Sequence, residues 1–235
     1  MIDVSDRSYL EWPFFSDEHR SFEKRFRQWV TGVQVSSEET PPGLSARRWV
    51  SALAFEGWLQ LCLDLDVGSL CLARESLAYH DPLGDFAFAM QGLGSAPISL
   101  FGTPQQKMKY LPSVTSGESI MAFALSEREA GSDVAATVTS ARRDDEFYIL
   151  NGEKTWISNA GIAGTYVVFA RTSEGGAKGL SAFIVPARTP GLHVTEEIET
   201  ISPHPLGTLR FHNATVPAQN RLGEEGQGFK IAMAT

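Results

Sequence analysis

Residues Phe147-Tyr-Ile-Leu-Asn-Gly-Glu-Lys-Thr-Trp-Ile-Ser158 hold two short apolar runs, Phe147–Leu150 and Lys154–Ile157, on either side of Asn151-Gly152. β-Branched and aromatic side chains suit a pleated, half-buried surface, and Asn-Gly supplies the positive φ of a tight turn between antiparallel strands. The spacing predicts a hairpin. Met121–Leu125, Thr137–Arg143, Tyr166–Arg171, Ala182–Val185 and Thr208–Phe211 repeat the rhythm, each bounded by turn residues. Short strands punctuated in this way predict an antiparallel barrel or sandwich.

Upstream the composition changes. Residues 1–118 contain 14 Leu and 13 Val, Ile and Thr, whereas residues 119–235 contain 7 Leu and 26 Val, Ile and Thr. Unbranched and γ-branched chains favour helices and β-branched ones favour strands, so a helical half precedes a β half. The fold class expected is α+β: a helical domain over 1–118, a β domain over 119–220, and over 221–235 a linker with the first turns of another helical unit. Ser16 caps a helix carrying Phe22, Phe26, Trp29 and Val30 on one face. A second helix follows Ser45 and closes near Gly57. A third spans about Ser69 to His80, and a fourth, rich in small residues, about Asp85 to Leu100. Gly102-Thr-Pro104 opens a fifth through Lys109.

The 235 residues carry a net charge of −8 and no basic run, so a general nucleic-acid role lacks its electrostatic footprint. The opening residues include Asp3 and Asp6 and no apolar stretch of signal length, and no apolar run is long enough for a membrane span. The expectation is a soluble cytoplasmic protein without membrane contact. Cys62 and Cys71 lie in an apolar region without partners at metal or redox spacing, and read as buried thiols. Gly92-Leu93-Gly94 is followed by Pro97 where a dinucleotide fingerprint needs glycine. Gly152-Glu153-Lys154-Thr155 lacks the Gly-Lys pair of a phosphate loop, and no G-x-S-x-G occurs. The five histidines form no helical i, i+4 pair, so no metal site is expected.

Two polar segments remain: Phe123-Ala-Leu-Ser-Glu-Arg-Glu-Ala-Gly-Ser-Asp133 and Asn151-Gly-Glu-Lys-Thr-Trp-Ile-Ser-Asn-Ala-Gly161. On spacing alone, Ser132-Asp133 reads equally well as an Asx or Ser turn, and Trp156 as a core aromatic. Together, however, the segments resemble the signatures of the acyl-CoA dehydrogenase family, close to E-P-x-A-G-S-D and N-G-x-K-x-W-I-S/T-N. Phe101 to Pro112, Ser116-Gly-Glu118 and Val216 to Phe229 resemble the family in the same order.

The resemblance implies a helical domain, a β domain and a C-terminal four-helix domain, with FAD between the last two. It implies that Phe123 and Leu125 offer strand backbone, and Ser126 its hydroxyl, to the polar edge of the flavin. Gly131 belongs to the cofactor-binding loop, Trp156, Ile157 and Ser158 cover the ring system, and Ser132 meets the pantetheine arm of CoA. The small-residue helix at 85–100 would line an acyl pocket or serve helix packing. The implied reaction is α,β-dehydrogenation of an acyl-CoA to a 2-enoyl-CoA. Its catalytic base would come from beyond Thr235, its electron acceptor would be an electron-transfer flavoprotein, and its state a homo- or hetero-oligomer. By that implication the 235 residues alone are inactive.

Arg128 replaces the usual proline of the first signature, and the chain is short between Leu65 and Ser69. Glu127, Glu129 and Asp133 lie near the site, but on the side that the resemblance gives to flavin and the CoA arm. Asp144-Asp145-Glu146 and Glu196-Glu197 read as solvated turns. A non-catalytic partner subunit, or a flavin oxidase or monooxygenase on the same scaffold, is the alternative reading.

Overall fold

The structure, a computed structural model, describes residues 7–35 and 40–235. Residues 1–6, read above for the lack of a leader, lie outside them. The helical half comprises α1 (Asp17–Gly32), α2 (Pro42–Phe55), α3 (Leu61–Asp64), α4 (Val67–His80), α5 (Pro82–Phe101) and α6 (Pro104–Thr115). Ser16 caps α1 through a capping box with His19, and Phe22, Phe26 and Val30 are buried on its inner face. α2, α5 and α6 each start on a proline, whose fixed φ suits the first helical position and whose missing N–H costs nothing there. For that reason α2 begins before Ser45, which is buried inside the helix, and α5 begins before Asp85, with Asp81 accepting from the Leu83 N–H at 2.9 Å. Cys62 is buried as expected, but Cys71 is exposed, because it lies on the outward face of α4.

The β half comprises β1 (Met121–Ala124), β2 (Ser140–Asp144), β3 (Phe147–Ser158), β4 (Thr165–Arg171), β5 (Leu180–Pro186), β6 (Leu192–Glu197), β7 (Leu206–Pro217) and β8 (Arg221–Leu222), and α7 (Gly228–Ala234) follows. The sheet runs β6-β7-β3-β2-β4-β5-β8, with β1 alongside β4. Most pairs are antiparallel, but β1 pairs with β4 in parallel and β2 touches β4 in parallel at Ser140 and Arg171. β4 and β5 are covered on both faces. Tyr166, Val168, Ala170, Phe183 and Val185 point into the β-domain core, while Val167, Phe169, Ala182 and Ile184 pack against Ile98, Tyr110, Val114 and Ile231 from the helices. Alternation puts successive side chains on opposite faces, so a strand buried on both reads as a continuous apolar run.

Three local expectations change. Asn151-Gly152 is not a hairpin turn: β3 continues through it, with a bulge against β7 between Leu150 and Gly152, and the turn to β2 falls at Asp145-Glu146. Gly152 uses its positive φ of 143° at that bulge, where a Cβ would lie 2.7 Å from the Thr139 Cα. Glu196 and Glu197 belong to the exposed edge strand β6 rather than to a turn. Within the expected linker, Arg221–Leu222 forms a strand paired with β5. No helix among the described residues is long and apolar enough to cross a membrane.

Candidate functional site

The two polar segments meet where β1 runs beside the second half of β3. α5 fixes β1 from below. Gly94 packs against it so closely that a Cβ would lie 2.5 Å from the Met121 Cβ, and the buried Gln91 side chain donates to the Ser119 carbonyl at 3.1 Å and accepts from the Met121 N–H at 2.7 Å. The Met121 carbonyl accepts from the Asn159 side chain at 2.9 Å. At the far end the Leu125 carbonyl accepts from Lys154 Nζ at 2.8 Å, and the Ser126 carbonyl accepts from the Thr155 N–H at 3.0 Å.

Between these ties the two strands do not ladder. β1 pairs with β4 alone, and the second half of β3 pairs with β7 alone. The Ile120 carbonyl and its even-numbered successors face β4, whereas Met121 uses both backbone groups on the opposite side. A strand alternates with period two, so the Phe123 N–H and C=O and the Leu125 N–H face the same open side. Among the described residues neither the Leu125 N–H nor the Ser126 or Ser158 hydroxyl has a partner, and all three residues are half-buried. The open edge therefore reads donor, acceptor, donor.

Trp156, on the β3 side of this gap, has an unusual conformation. Its φ is +55°, a region where an L side chain crowds its own carbonyl at a cost of about 1–2 kcal/mol. It sits in the second bulge of β3, where the register against β7 shifts between Lys154 and Ile157, and its indole is 51% exposed. A bulge re-aims a side chain, and strain at an exposed aromatic is the kind of feature that clusters at functional sites. The bulge is held from behind: the buried Thr155 and Thr208 hydroxyls are 2.9 Å apart, and Thr208 donates to Glu196 at 2.9 Å.

Below the gap lies an ion pair that the sequence reading did not assign. Lys154 is fully buried and Glu127 is 4% exposed, with Nζ and Oε1 2.8 Å apart. Glu127 also accepts from the Val138 and Thr139 N–H groups at 2.8 and 3.0 Å. Burial pushes Lys154 down to about 8 against the pull of Glu127. Burial alone would raise the Glu127 carboxyl, but the Lys154 charge and the hydrogen bonds hold it below its ordinary value. Both residues stand within the quoted segments; a lysine at inward parity on β3 was the signal that could have revealed the pair.

A family profile described as the acyl-CoA dehydrogenase N-terminal domain matches residues 16–118, and one described as the middle domain matches residues 122–214. The chain belongs to the acyl-CoA dehydrogenase family. It is similar to an acyl-CoA dehydrogenase of Bacillus subtilis, 45% identical over 145 residues, which are 60% of this chain and 38% of that protein. A short-chain specific acyl-CoA dehydrogenase of Megasphaera elsdenii is 42% identical over 175 residues, 72% of this chain and 46% of the relative. The solved butyryl-CoA dehydrogenase of Megasphaera elsdenii superposes with a TM-score of 0.79 at 30% identity, over 94% of this chain and 62% of that one. The chain thus spans less than half the length of these two curated relatives.

Of the residues expected from the family signatures, the structure brings Phe123, Leu125, Ser126, Trp156 and Ser158 to the gap. Ile157 is 1% exposed with its side chain in the β-domain core, so only its backbone can face a ligand. Gly131 and Ser132 lie on an exposed loop, and the Ser132 hydroxyl has no partner among the described residues. The loop that follows is held by Arg171, which donates to the Ala135 and Thr137 carbonyls at 2.6 and 2.9 Å. Arg128 is exposed and 3.8 Å from Glu196, a spacing at which a surface pair contributes little.

Proposed function

We propose that this chain forms the flavin-facing part of an FAD-dependent acyl-CoA dehydrogenase that converts an acyl-CoA to its 2-enoyl-CoA. The observation that carries the reading is the open edge of β1 with an exposed, strained Trp156 on the β3 side of the gap. The pyrimidine edge of an isoalloxazine presents acceptor, donor, acceptor, the complement of the Phe123 N–H, Phe123 C=O and Leu125 N–H. The residues present therefore fit the group. When bound, FAD supplies the acceptor for the hydride leaving the β carbon of the acyl chain.

This chain's residues position and shield. Phe123 and Leu125 orient the ring through backbone groups, the Ser126 and Ser158 hydroxyls are free to donate to its polar atoms, and Trp156 covers one face and excludes water. Gly131 and Ser132 hold the pantetheine arm from the adjoining loop. Glu127 cannot take the α proton, because its oxygens are engaged by Lys154 and two N–H groups. A general base must reach the proton it removes. We assign that base to a residue outside these 235, facing the substrate from the side opposite Trp156. An electron-transfer flavoprotein is proposed as acceptor of the electrons, within a homo- or hetero-oligomeric enzyme.

The test is chromophore identity and dependence. The full-length protein is expected to release FAD on denaturation and to bind it more weakly when Ser126 or Trp156 is replaced by Ala. A full-length protein without affinity for flavin would overturn the proposal.

A further inference from the structure

Lys154 is the one side chain that terminates the open edge of β1. The order of backbone groups along that edge is the Phe123 N–H, the Phe123 C=O, the Leu125 N–H and the Leu125 C=O. The first three alternate as donor, acceptor, donor, and the fourth would add an acceptor beside the last donor. That fourth group is the one bonded to Lys154 Nζ, at 2.8 Å. The ammonium is in turn held at 2.8 Å by Glu127, which also accepts from the Val138 and Thr139 N–H groups. Among the described residues Nζ has no other hydrogen-bond or ion-pair partner, and the side chain is fully buried, so its position leaves little freedom. Burying a lysine for structure alone is an inefficient use of a core position, because an apolar pair of similar volume is often as stable or more so.

We infer that Lys154 and Glu127 are positioning residues that set the hydrogen-bond polarity of the β1 edge toward the flavin, by taking the Leu125 carbonyl out of the site and leaving the Leu125 N–H as its terminal donor. This rests on the flavin reading given above. Without the ammonium, the Leu125 carbonyl dipole turns its negative end toward the acceptor atoms of the pyrimidine ring, where negative charge builds up on reduction. Loss of the pair therefore weakens FAD and lowers its midpoint potential, in addition to any effect on the fold.

The discriminating variant is Lys154→Met combined with Glu127→Gln in the full-length protein. It removes both charges together, so no ion is left buried alone, and its one amide oxygen replaces one of the two Glu127 oxygens that accept separately from the Val138 and Thr139 N–H groups. Thermal melting, FAD affinity by fluorescence titration and the two-electron midpoint potential are measured in parallel. The expected result is a folded protein with a cooperative melt, lowered only as one lost hydrogen bond requires, an FAD dissociation constant raised at least tenfold, and a lower potential. Parent-like affinity and potential in a folded double variant would overturn the inference. If that variant fails to fold, Lys154→Arg, which keeps the charge, is expected to retain the parent potential, and a lowered potential there overturns the inference as well. Ser126→Ala and Trp156→Ala separate the two levels. If they weaken FAD while the double variant does not, the positioning role falls and the flavin site stands; if none of them affects FAD, both fall.

Discussion

Replacing Lys154 alone by Met perturbs the buried pair in its most costly form. Met occupies a similar volume, so packing changes little, but the Glu127 carboxylate keeps two N–H donors and loses its cation. Removing one partner of a buried pair costs about 3–5 kcal/mol. Proton uptake gives an independent ceiling: from the ordinary value of 4.5, holding Glu127 protonated at pH 7 costs about 2.5 × 1.36, or about 3.4 kcal/mol. The two figures agree. For a chain of this size each kcal/mol moves Tm by about 2–4 °C, so the drop expected at pH 7 is roughly 7–14 °C.

The sign of the pH dependence follows from the direction of each shift. In the parent, Glu127 is held below its ordinary value, so its contribution is present above pH 4.5 and is lost as the pH falls through the folded value. In the variant the unpaired carboxyl is raised, so stability is lost as the pH rises above 4.5. The gap between the two proteins should thus shrink at pH 5 to about 0.5 × 1.36, or about 0.7 kcal/mol, plus the lost hydrogen bond to Leu125. Urea unfolding at pH 5 and pH 7, both below the value of about 8 at which Lys154 itself loses its proton, measures the difference. A gap of equal size at both pH values, or one under about 1 kcal/mol at pH 7, would refute the ion-pair reasoning.

Other substitutions separate stability from ligand binding. Trp156→Gly relieves the left-handed backbone and removes an indole that is half in solvent, so melting should hold or rise while FAD affinity drops by about fivefold or more, near 1 kcal/mol of aromatic contact; a lower Tm with unchanged affinity contradicts this. Gly94→Ala places a Cβ against the Met121 side chain and the Ala122 backbone, and should destabilise by about 1–3 kcal/mol in a urea titration. Ser132→Ala removes an exposed hydroxyl without a protein partner; melting should not move, while KM for acyl-CoA should rise by about two- to tenfold at constant kcat. The 235 residues by themselves should neither keep stoichiometric flavin through gel filtration nor bleach added FAD with an acyl-CoA. Bleaching that is abolished by Glu129→Gln would place the base within this chain.

Much of this architecture is legible in the sequence because side-chain shape separates its halves: the five helical segments read from it became α1, α2, α4, α5 and α6, the single turn α3 went unread, and β-branched runs became the sheet. The misreadings have local causes. Pro42 and Pro82 look like breaks, yet each starts a helix at the position that needs no N–H. Asn151-Gly152 carries the chemistry of a turn, but a bulge needs the same positive φ, and the pairing across β3 and β7 decides between them. β6 is an edge strand with five of its six residues exposed, so Glu196-Glu197 read as a solvated turn. The parallel pairing of β1 with β4 joins segments distant in the chain, and no local pattern encodes it.

The candidate site divides in the same way. Ser126 and Trp156 stand out because their segments are rich in polar residues that a strand does not require. The pairing of Lys154 with Glu127 does not, since a charged side chain in a polar motif reads as solvated until the fold closes over it. The strain at Trp156 is invisible to composition altogether, because it arises from a register shift against β7 rather than from its neighbours in sequence.

The most direct measurement is an anaerobic titration of the FAD-loaded full-length protein with a series of acyl-CoA thioesters, following the visible absorbance of the flavin and the thioester product together. At least one acyl-CoA is expected to bleach the flavin stoichiometrically and to yield one 2-enoyl-CoA per flavin. A flavin that dithionite reduces but that stays oxidised with every acyl-CoA offered would contradict the assignment of this site to acyl-CoA dehydrogenation.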